Sequence, residues 1–292
     1  MGKETAMEHD MIILGCGPAG LSAAVAARSR NKSVLVIGNP VEDSPLAKAE
    51  RVDNYLGLPG LTGLELLQTM KRHAEAMGAQ FVTGRVIALM AWDGSFALTV
   101  GSDLYQGHAL VLAPGVIHAS KFPGEQELLG KGVSYCATCD GMLYRNRTVM
   151  VVGRTKDAPE EANFLHSIGC KVTYVSKERP GELKAEIAHL PGTKLAVVGE
   201  ERVSALSVDG QEHPCDGVFI LRQAVAPTDL LPGLETADGS IIVNRAMETN
   251  LEGVFAAGDC TGKPWQVSKA VGEGLIAGER AAEYLDEKQK NQ

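Results

Sequence analysis

The stretch Met11-Ile-Ile-Leu-Gly-Cys-Gly-Pro-Ala-Gly20 decides the fold of this chain, because a short apolar run passes directly into a glycine-rich turn. An alanine-rich helix is predicted over 21–28 and a second buried strand over 33–37. Strand, turn, helix and strand in this order form the βαβ unit of a parallel sheet. Within such a unit, the spacing Gly15-x-Gly17-x-x-Gly20 predicts a dinucleotide site, in which the helix N-terminus meets the phosphate charge. The alternative is a glycine turn with a structural role alone.

The same pattern begins again in the second half of the chain. Thr148-Val-Met-Val-Val-Gly153 is an apolar strand that ends in glycine, and a helix over 160–167 and a strand over 170–175 follow it. Two copies of one pattern indicate two nucleotide-binding folds. Between the two copies, short apolar runs on either side of Asp93-Gly94 predict an antiparallel meander.

A third strand and turn predict how the two folds are connected. Gly253-Val-Phe-Ala-Ala-Gly-Asp259 has the pattern of a buried strand that enters a turn, and a small-residue helix over 268–285 follows it. If this strand belongs to the first fold, the second fold is an insertion. We therefore expect an α/β protein with two dinucleotide-binding domains of the three-layer ββα, Rossmann-like class: a discontinuous one over 1–116 and 247–292, and an inserted one over 117–246.

Composition and charge exclude several classes of protein. The chain has 292 residues, of which 45% are hydrophobic and 22% are charged, as in a globular protein of about two domains. The formal net charge of −8 argues against a nucleic-acid-binding protein, which needs a basic face. The sequence contains no run of about 18 uncharged apolar residues, and its polar N-terminal segment has no signal-peptide pattern. We therefore expect a cytoplasmic protein with neither a membrane nor a nucleic acid as partner.

Cys136 and Cys139 form the sharpest chemical signal in the sequence. Two intervening residues allow a disulfide within one turn, and such pairs are typical of thiol-disulfide exchange. The alternative is half of a zinc site, although zinc normally takes four nitrogen or sulfur ligands and no second pair with this spacing exists. Asp140 directly follows the second cysteine, where it either delivers protons during thiol exchange or is a solvated turn aspartate.

Five segments of the sequence carry a resemblance to a known family: Gly15-Cys-Gly-Pro-Ala-Gly20, Asp53-Asn-Tyr-Leu-Gly57, Ala113-Pro-Gly115, Cys136-Ala-Thr-Cys-Asp-Gly141 and Gly253-Val-Phe-Ala-Ala-Gly-Asp259. In this order they resemble the low-molecular-weight thioredoxin reductases, and the resemblance extends over nearly the whole chain. It implies FAD in the first domain, thioredoxin as electron acceptor and a homodimer. The residues that it assigns to FAD are Gly15, Gly17, Pro18, Ala19, Gly20, Gly38, Asn39, Lys48, Asn54, Val86, Ala113, Gly115, Gly258, Asp259, Gln266 and Val267.

The resemblance also implies a role for each residue of the cysteine motif. Cys139 is the thiol next to the flavin, Cys136 attacks the thioredoxin disulfide, and Asp140 is the acid/base. In this scheme Cys136 forms a mixed disulfide with the partner, and Cys139 resolves it. Asp259 is expected at the ribityl or phosphate end of the cofactor, and no metal is expected.

The second dinucleotide motif departs from the pattern of NADPH-dependent members. In Gly153-Arg-Thr-Lys-Asp-Ala158, Thr155 replaces the glycine that admits the pyrophosphate. Asp157 either brings negative charge to the helix N-terminus or caps the helix in a capping box with Glu160. Glu178 stands where arginines would bind the 2′-phosphate. This combination resembles the ferredoxin-dependent flavin thioredoxin reductases, so ferredoxin is the expected electron donor.

Two other functions remain open at the level of the sequence. One is an NADPH- or NADH-dependent thioredoxin reductase with a remodelled nucleotide site. The other is a flavin redox sensor whose thiols report the redox state without turnover. A local surplus of basic residues favours an acidic donor such as ferredoxin. Between 121 and 157 there are four acidic residues against six basic ones: Lys121, Lys131, Arg145, Arg147, Arg154 and Lys156.

Overall fold

A computed structural model of the protein describes residues 7–92, 94–101, 103–115, 121–222 and 227–290. The chain forms two compact units. Met1–His118 and Ala226–Gln292 make up the first unit, and Ala119–Val225 make up the second, which is therefore inserted into the first.

The residues that the structure describes form six helices and seventeen strands. The helices are α1 Pro18–Ser29, α2 Gly63–Ala76, α3 Ala137–Asp140, α4 Ala158–Ser167, α5 Pro227–Leu230 and α6 Val267–Lys290. The strands are β1 Met7–Leu14, β2 Val34–Gly38, β3 Gln80–Thr83, β4 Val86–Trp92, β5 Ser95–Val100, β6 Asp103–Leu112, β7 Val133–Ser134, β8 Thr148–Gly153, β9 Lys171–Ser176, β10 Ala188–Pro191, β11 Leu195–Gly199, β12 Val203–Val208, β13 Gln211–Pro214, β14 Gly217–Leu221, β15 Thr236–Ala237, β16 Ser240–Ile241 and β17 Val254–Ala256. Short 3-10 helices cover Val41–Asp43, Pro45–Lys48, Gly141–Tyr144 and Asp259–Thr261.

The main sheet of the first unit is parallel at its centre and antiparallel at one side. Strands β3, β2, β1 and β6 are parallel neighbours, and β17 pairs in parallel with the last three residues of β6. The first half of β6 pairs with β5, and β5 with β4, in antiparallel register. The predicted meander is therefore confirmed. Its turn contains Gly94 at a φ of +68°, whereas Asp93 lies outside the described residues.

Both faces of this sheet are covered, so successive residues of β1 enter two different cores. Met11 and Ile13 pack with the buried alanines of α1 and α6, and Ile12 and Leu14 pack with apolar residues of the meander. A strand that is buried on both faces reads as a continuous apolar run, which explains the sequence of β1. The alanines and glycines of the two helices allow them to approach closely: a Cβ at Gly274 of α6 would overlap the Ala19 carbonyl oxygen of α1.

The second unit repeats the parallel arrangement on a smaller scale. Its main sheet has the strand order β10-β9-β8-β14-β7, and every described pair in it is parallel. Helices α3 and α4 contribute Ala137, Ala158, Ala162 and Leu165 to the core on one face of this sheet. Strands β11, β12 and β13 form a separate antiparallel sheet. The predicted α/β fold with two Rossmann-like domains is confirmed.

The second division between the units falls at 225/226, within residues that the structure does not describe, whereas the sequence predicts it at 246/247. The physical reason is apolar burial, because Leu231, Leu234 and Ile241 join the core that also holds strand residues of the first unit. The first junction falls at 118/119 rather than at 116/117, within residues that the structure does not describe. No helix of the described ranges combines the length and apolar character that crossing a bilayer demands.

Candidate active site

The glycine turn of the first unit lies at the carboxyl ends of the parallel strands. Gly15 has a φ of +124°, and a Cβ at this position would overlap the Ala113 carbonyl oxygen. Backbone hydrogen bonds tie the strand ends together, from Gly15 N–H to the Ile37 carbonyl (2.8 Å) and from Ala113 N–H to the Leu14 carbonyl (2.8 Å). Only glycine satisfies both the backbone conformation and the close approach at position 15.

The N-terminus of α1 has the features of a phosphate-binding turn. Gly17 is the N-cap residue and Pro18 is the first helical residue. No side chain caps this end of the helix, and a Cβ at Gly17 would meet no atom within 4 Å. Uncapped N–H groups that face open space at a helix N-terminus bind anions. The turn therefore fits the pyrophosphate of a dinucleotide.

The other residues assigned to FAD lie in the first unit, most of them at strand ends or in the loops that follow. Asn54 donates a hydrogen bond from Nδ2 to Oε1 of Gln266 (2.9 Å), so the structure brings these two side chains together. Burial raises the pKa of the Asp259 carboxyl, with Lys269 lowering it and Glu273 raising it. The remaining positions are Ala19 and Gly20 in the first turn of α1, Gly38 at the end of β2, Asn39 after it, Lys48 at the end of a 3-10 helix, Val86 at the start of β4, Gly115 after β6, Gly258 after β17 and Val267 at the start of α6.

Cys136 and Cys139 of the second unit form a disulfide, with 5.4 Å between their Cα atoms. The two sulfurs have different surroundings. Cys136 is 4% exposed, and its Sγ accepts a hydrogen bond from the Cys139 N–H (3.0 Å) and lies 3.4 Å from the Thr138 hydroxyl. Cys139 is exposed. In the oxidised pair, Cys139 is thus the more accessible residue, and Cys136 is the one whose sulfur the neighbouring donors contact.

Ser134, which is not among the residues predicted from the sequence, links Asp140 to the cysteine pair. Its buried hydroxyl accepts a hydrogen bond from the Cys136 N–H (3.1 Å) and donates one to Oδ2 of Asp140 (2.6 Å). The half-buried Asp140 carboxylate is therefore held beside the disulfide loop. Glu161 on α4 accepts a hydrogen bond from the Ala137 N–H (3.2 Å). The contacts of Ser134 with Asp140 and with the Cys136 N–H could have been suspected from one feature of the sequence, a serine two residues before the CxxC motif.

The degenerate turn of the second unit lies between β8 and α4. Gly153 ends β8, and a Cβ here would overlap the hydroxyl of Tyr174. Burial first, and the Asp157 and Glu182 carboxylates next, raise the pKa of Tyr174 to about 12. Asp157 is the N-cap residue of α4 but makes no side-chain capping bond. Of the two roles considered for Asp157, the capping box with Glu160 is therefore wrong, and Asp157 is an exposed acidic residue at this helix N-terminus.

A cluster of aromatic and charged side chains lies where the dinucleotide crevice of the second unit is expected. Such crevices open at the carboxyl ends of the central parallel strands, which are β8 and β14 here, followed by Arg154 and Arg222. Both guanidinium groups lie over the Phe122 ring, at 5.7 and 5.2 Å from its centroid. Arg222 also pairs with Glu125 (2.7 Å), which is fully buried and accepts hydrogen bonds from the Tyr135 hydroxyl and the Phe122 N–H (both 2.8 Å).

Within the ranges that the structure describes, no three His, Cys, Asp or Glu side chains are grouped so that they could hold a metal ion. The four remaining cysteines are unpaired and distant from the CxxC motif in the sequence. Burial raises the pKa of Cys215 and Cys260 to about 12 and that of Cys16 to about 11, so these thiols are poor nucleophiles near neutral pH.

Comparison with known proteins agrees with this arrangement. Residues 9–274 match the family described as pyridine nucleotide-disulphide oxidoreductase. A thioredoxin reductase of Treponema pallidum is 35% identical, covering 96% of this chain and 98% of its own length. A ferredoxin-flavin thioredoxin reductase of Clostridium acetobutylicum superposes with a TM-score of 0.87 at 39% identity, covering 99% of this chain and 100% of that chain. An atypical thioredoxin reductase of Desulfovibrio vulgaris superposes with a TM-score of 0.72 at 32% identity, covering 97% of this chain and 99% of that chain.

Members of this family are FAD-dependent flavoproteins, and the open glycine turn at α1 fits that cofactor. The Cys136–Cys139 disulfide supplies the redox-active sulfur pair. The chain belongs to the pyridine nucleotide-disulphide oxidoreductase family, as a flavin disulfide oxidoreductase of the thioredoxin reductase type.

Proposed function

We propose that this protein reduces thioredoxin, or a similar disulfide protein, with electrons that its FAD receives from reduced ferredoxin. The curated relatives named thioredoxin reductase support the acceptor. The similar structures named ferredoxin-flavin thioredoxin reductase support the donor. We further propose that the protein works in the cytoplasm as a homodimer.

The observation that carries the choice of donor is the cluster in the crevice of the second unit. An NADPH pyrophosphate would need the space beside the turn at Thr155, where the glycine of the dinucleotide motif is missing. Phe122, Arg154 and Arg222 are stacked at the ends of β8 and β14, and the buried Glu125 holds Arg222 in that position. Asp157 adds a negative charge that repels a phosphate. These contacts and charges support a donor other than a pyridine nucleotide.

The residues of the glycine turn would hold FAD in the first unit. Gly15 and Gly17 would border the pyrophosphate, Asp259 would hold the ribityl or phosphate end, and the Asn54–Gln266 pair would lie near the flavin ring. When bound, FAD supplies a carrier that accepts electrons singly from an iron–sulfur donor and releases them as a pair. This property suits a one-electron donor that serves a two-electron disulfide.

The cysteine pair would carry out the thiol chemistry. Two electrons and two protons open the Cys136–Cys139 bond and leave two thiols, and the electrons enter at the exposed Cys139. Cys136, as a thiolate, attacks one sulfur of the partner disulfide, and the other partner sulfur leaves as a thiol after protonation. Cys139 then attacks Cys136, which restores the disulfide and releases the reduced partner. Asp140, held by Ser134, would supply the proton to the leaving thiolate.

A protein substrate also fits the surface beside the cysteine motif. Met142 and Leu143, in the 3-10 helix that follows α3, are 58% and 72% exposed. Two large apolar side chains in this position favour contact with a partner surface. We therefore infer that the disulfide protein docks on this short helix, next to the CxxC motif in the chain.

Anaerobic reduction of the FAD-loaded protein tests the proposal. Reduced ferredoxin, NADPH and NADH are each added to separate samples, and the flavin absorbance is followed by stopped flow. We expect reduced ferredoxin to bleach the flavin and the nucleotides to leave it oxidised. Rapid bleaching by a nucleotide at micromolar concentration would overturn the choice of donor. With ferredoxin present, oxidised thioredoxin should be reduced over many turnovers, and a single turnover would indicate the redox sensor instead.

A further inference from the structure

One ion pair of α6 holds the turn that follows β17. Lys269 Nζ donates to the carbonyl oxygens of Gly258 (2.7 Å) and Gly262 (2.8 Å) and to the Thr261 hydroxyl oxygen (2.8 Å). Oε2 of Glu273 accepts from the Gly258 N–H (2.9 Å) and the Thr261 hydroxyl (2.8 Å), and lies 3.0 Å from Lys269 Nζ. The pair therefore binds both the N–H and the carbonyl group of Gly258.

At this position in α6, the pair of Lys269 and Glu273 contributes little to the stability of the helix itself. Lys269 is the third residue of α6, where the helix dipole disfavours a positive charge. The order Lys269 then Glu273 is also the less favourable orientation for a pair four residues apart. Both side chains are largely buried, at 16% and 19% exposure, so the pair is not a solvated surface contact. Its hydrogen bonds to other residues are all made to the turn, which indicates that the pair stabilises the turn rather than the helix.

The turn that the pair holds lies against the phosphate-binding end of α1. Gly258 has a φ of +91°, and a Cβ at this position would lie 2.8 Å from the Cβ of Ala19. Asp259, which the family resemblance assigns to FAD, follows Gly258 directly. A shift of the Gly258 backbone would therefore displace Asp259 and disturb the first turn of α1 together.

We propose that Lys269 and Glu273 are positioning residues for FAD. By fixing the Gly258 backbone, they keep Asp259 and the first turn of α1 in the arrangement that binds the cofactor. Neither side chain needs to touch the flavin for this role. The inference rests on the FAD site of the proposed function and is independent of the electron donor.

Release of FAD from purified holoprotein tests this role. Lys269→Met keeps the length of the side chain but removes three donated hydrogen bonds and the charge. We expect FAD to leave this variant about 10 to 100 times faster than the unaltered protein, since hydrogen bonds from charged groups are the strong ones. Lys269→Arg, which keeps the charge and the donors, should restore most of the difference. The readout is the rise in flavin fluorescence after dilution, together with the dissociation constant for FAD added to the apoprotein.

Arg280→Met is the matched control, because Arg280 lies on the same helix and pairs with Glu248 (3.0 Å) outside the turn. We expect this variant to release FAD at the unaltered rate. The proposal would be overturned if Lys269→Met and Arg280→Met released FAD at the same rate while losing the same apoprotein stability in urea. It would also be overturned if Lys269→Met folded and released FAD at the unaltered rate. If Lys269→Met does not fold, Glu273→Gln is measured instead. We expect this variant to release FAD faster than the unaltered protein, and an unchanged rate would contradict the positioning role. Reduction of the flavin by NADPH would contradict ferredoxin as the electron donor but would not change the expected rates of FAD release.

Discussion

At the scale of single residues, the two sulfurs of the redox pair differ in a way that their spacing does not show. Cys136 is buried and its sulfur receives a backbone N–H, whereas Cys139 is exposed. A thiolate that receives hydrogen bonds is stabilised and persists long enough to attack. The geometry therefore favours Cys136 as the nucleophile toward the partner and Cys139 as the entry point for electrons.

Single-cysteine variants should separate these two roles. Cys139→Ser should bind FAD normally, lose turnover with thioredoxin, and form about one mixed disulfide per chain through Cys136. The test partner is a thioredoxin with one active-site cysteine, activated as its thionitrobenzoate disulfide, and the adduct is measured by mass spectrometry. Cys136→Ser is the matched control and should form far less adduct. The opposite pattern would contradict the assignment. The raised pKa values of Cys16, Cys215 and Cys260 keep background labelling low.

A second prediction at the scale of single residues concerns the contribution of the buried Glu125–Arg222 pair to the free energy of unfolding. Arg222→Met leaves a fully buried carboxylate without its cation, which should lower the free energy of unfolding by about 3 to 5 kcal/mol. Adding Glu125→Gln removes the uncompensated charge and should recover at least half of that loss. Arg154→Met, which removes the exposed cation on the same Phe122 ring, should cost about 0.5 to 1 kcal/mol. Urea unfolding measures all three, and a loss under 1 kcal/mol in Arg222→Met would contradict the argument.

Residues that act through local backbone conformation could be predicted from the sequence, whereas residues that act through contacts made only in the folded chain could not. The glycines of the first turn and the two cysteines act through local backbone conformation and spacing, which a sequence displays directly. Glu125 and Arg222 are separated by 97 residues and meet only because β14 pairs with β7, the strand that follows Glu125 in the chain. Nothing in a single sequence records that pairing. The contacts of Ser134 and Lys269 likewise depend on how a turn closes.

At the scale of elements, the packing of α6 on α1 links helix composition to the cofactor site. Gly274 and Gly278 of α6 lie against the backbone of Ala19 and Ala23, at distances that leave no space for a Cβ. Ala19 belongs to the first turn of α1, which the FAD pyrophosphate is expected to meet. The small-residue pattern over 268–285 predicted a helix, and the structure extends it to Val267–Lys290. The partner helix of those glycines could not be read from the pattern.

Two glycine substitutions on α6 should have opposite effects. Gly274→Ala places a methyl group on the Ala19 carbonyl oxygen and should lower the free energy of unfolding by about 1 to 3 kcal/mol, with weaker FAD binding. Gly272→Ala is the control two residues away, where a Cβ meets no atom within 4 Å. Since alanine is the better helix former, this variant should gain about 0.5 to 1 kcal/mol. Urea unfolding and FAD titration measure both variants, and equal effects would contradict the close-packing argument.

At the scale of the whole molecule, charge is distributed unevenly along an acidic chain. The net charge is −8, yet the segment from 121 to 157 carries more basic than acidic residues, and one of its carboxylates, Glu125, is buried in an ion pair. Five of its cations are exposed: Lys131, Arg145, Arg147, Arg154 and Lys156. An acidic electron donor is attracted to such a surface over distances of about one Debye length.

Salt should therefore slow the reduction of the flavin by ferredoxin. Raising the ionic strength from about 0.02 to 0.3 M should lower the second-order rate about tenfold, because screening weakens electrostatic steering. Arg145→Gln combined with Arg147→Gln should lower the rate at low salt and flatten its salt dependence. Lys184→Gln combined with Lys194→Gln removes two exposed cations of the same unit outside the segment and serves as the control. A rate that is independent of salt, or equal losses in the two double variants, would show that this basic segment does not guide the donor.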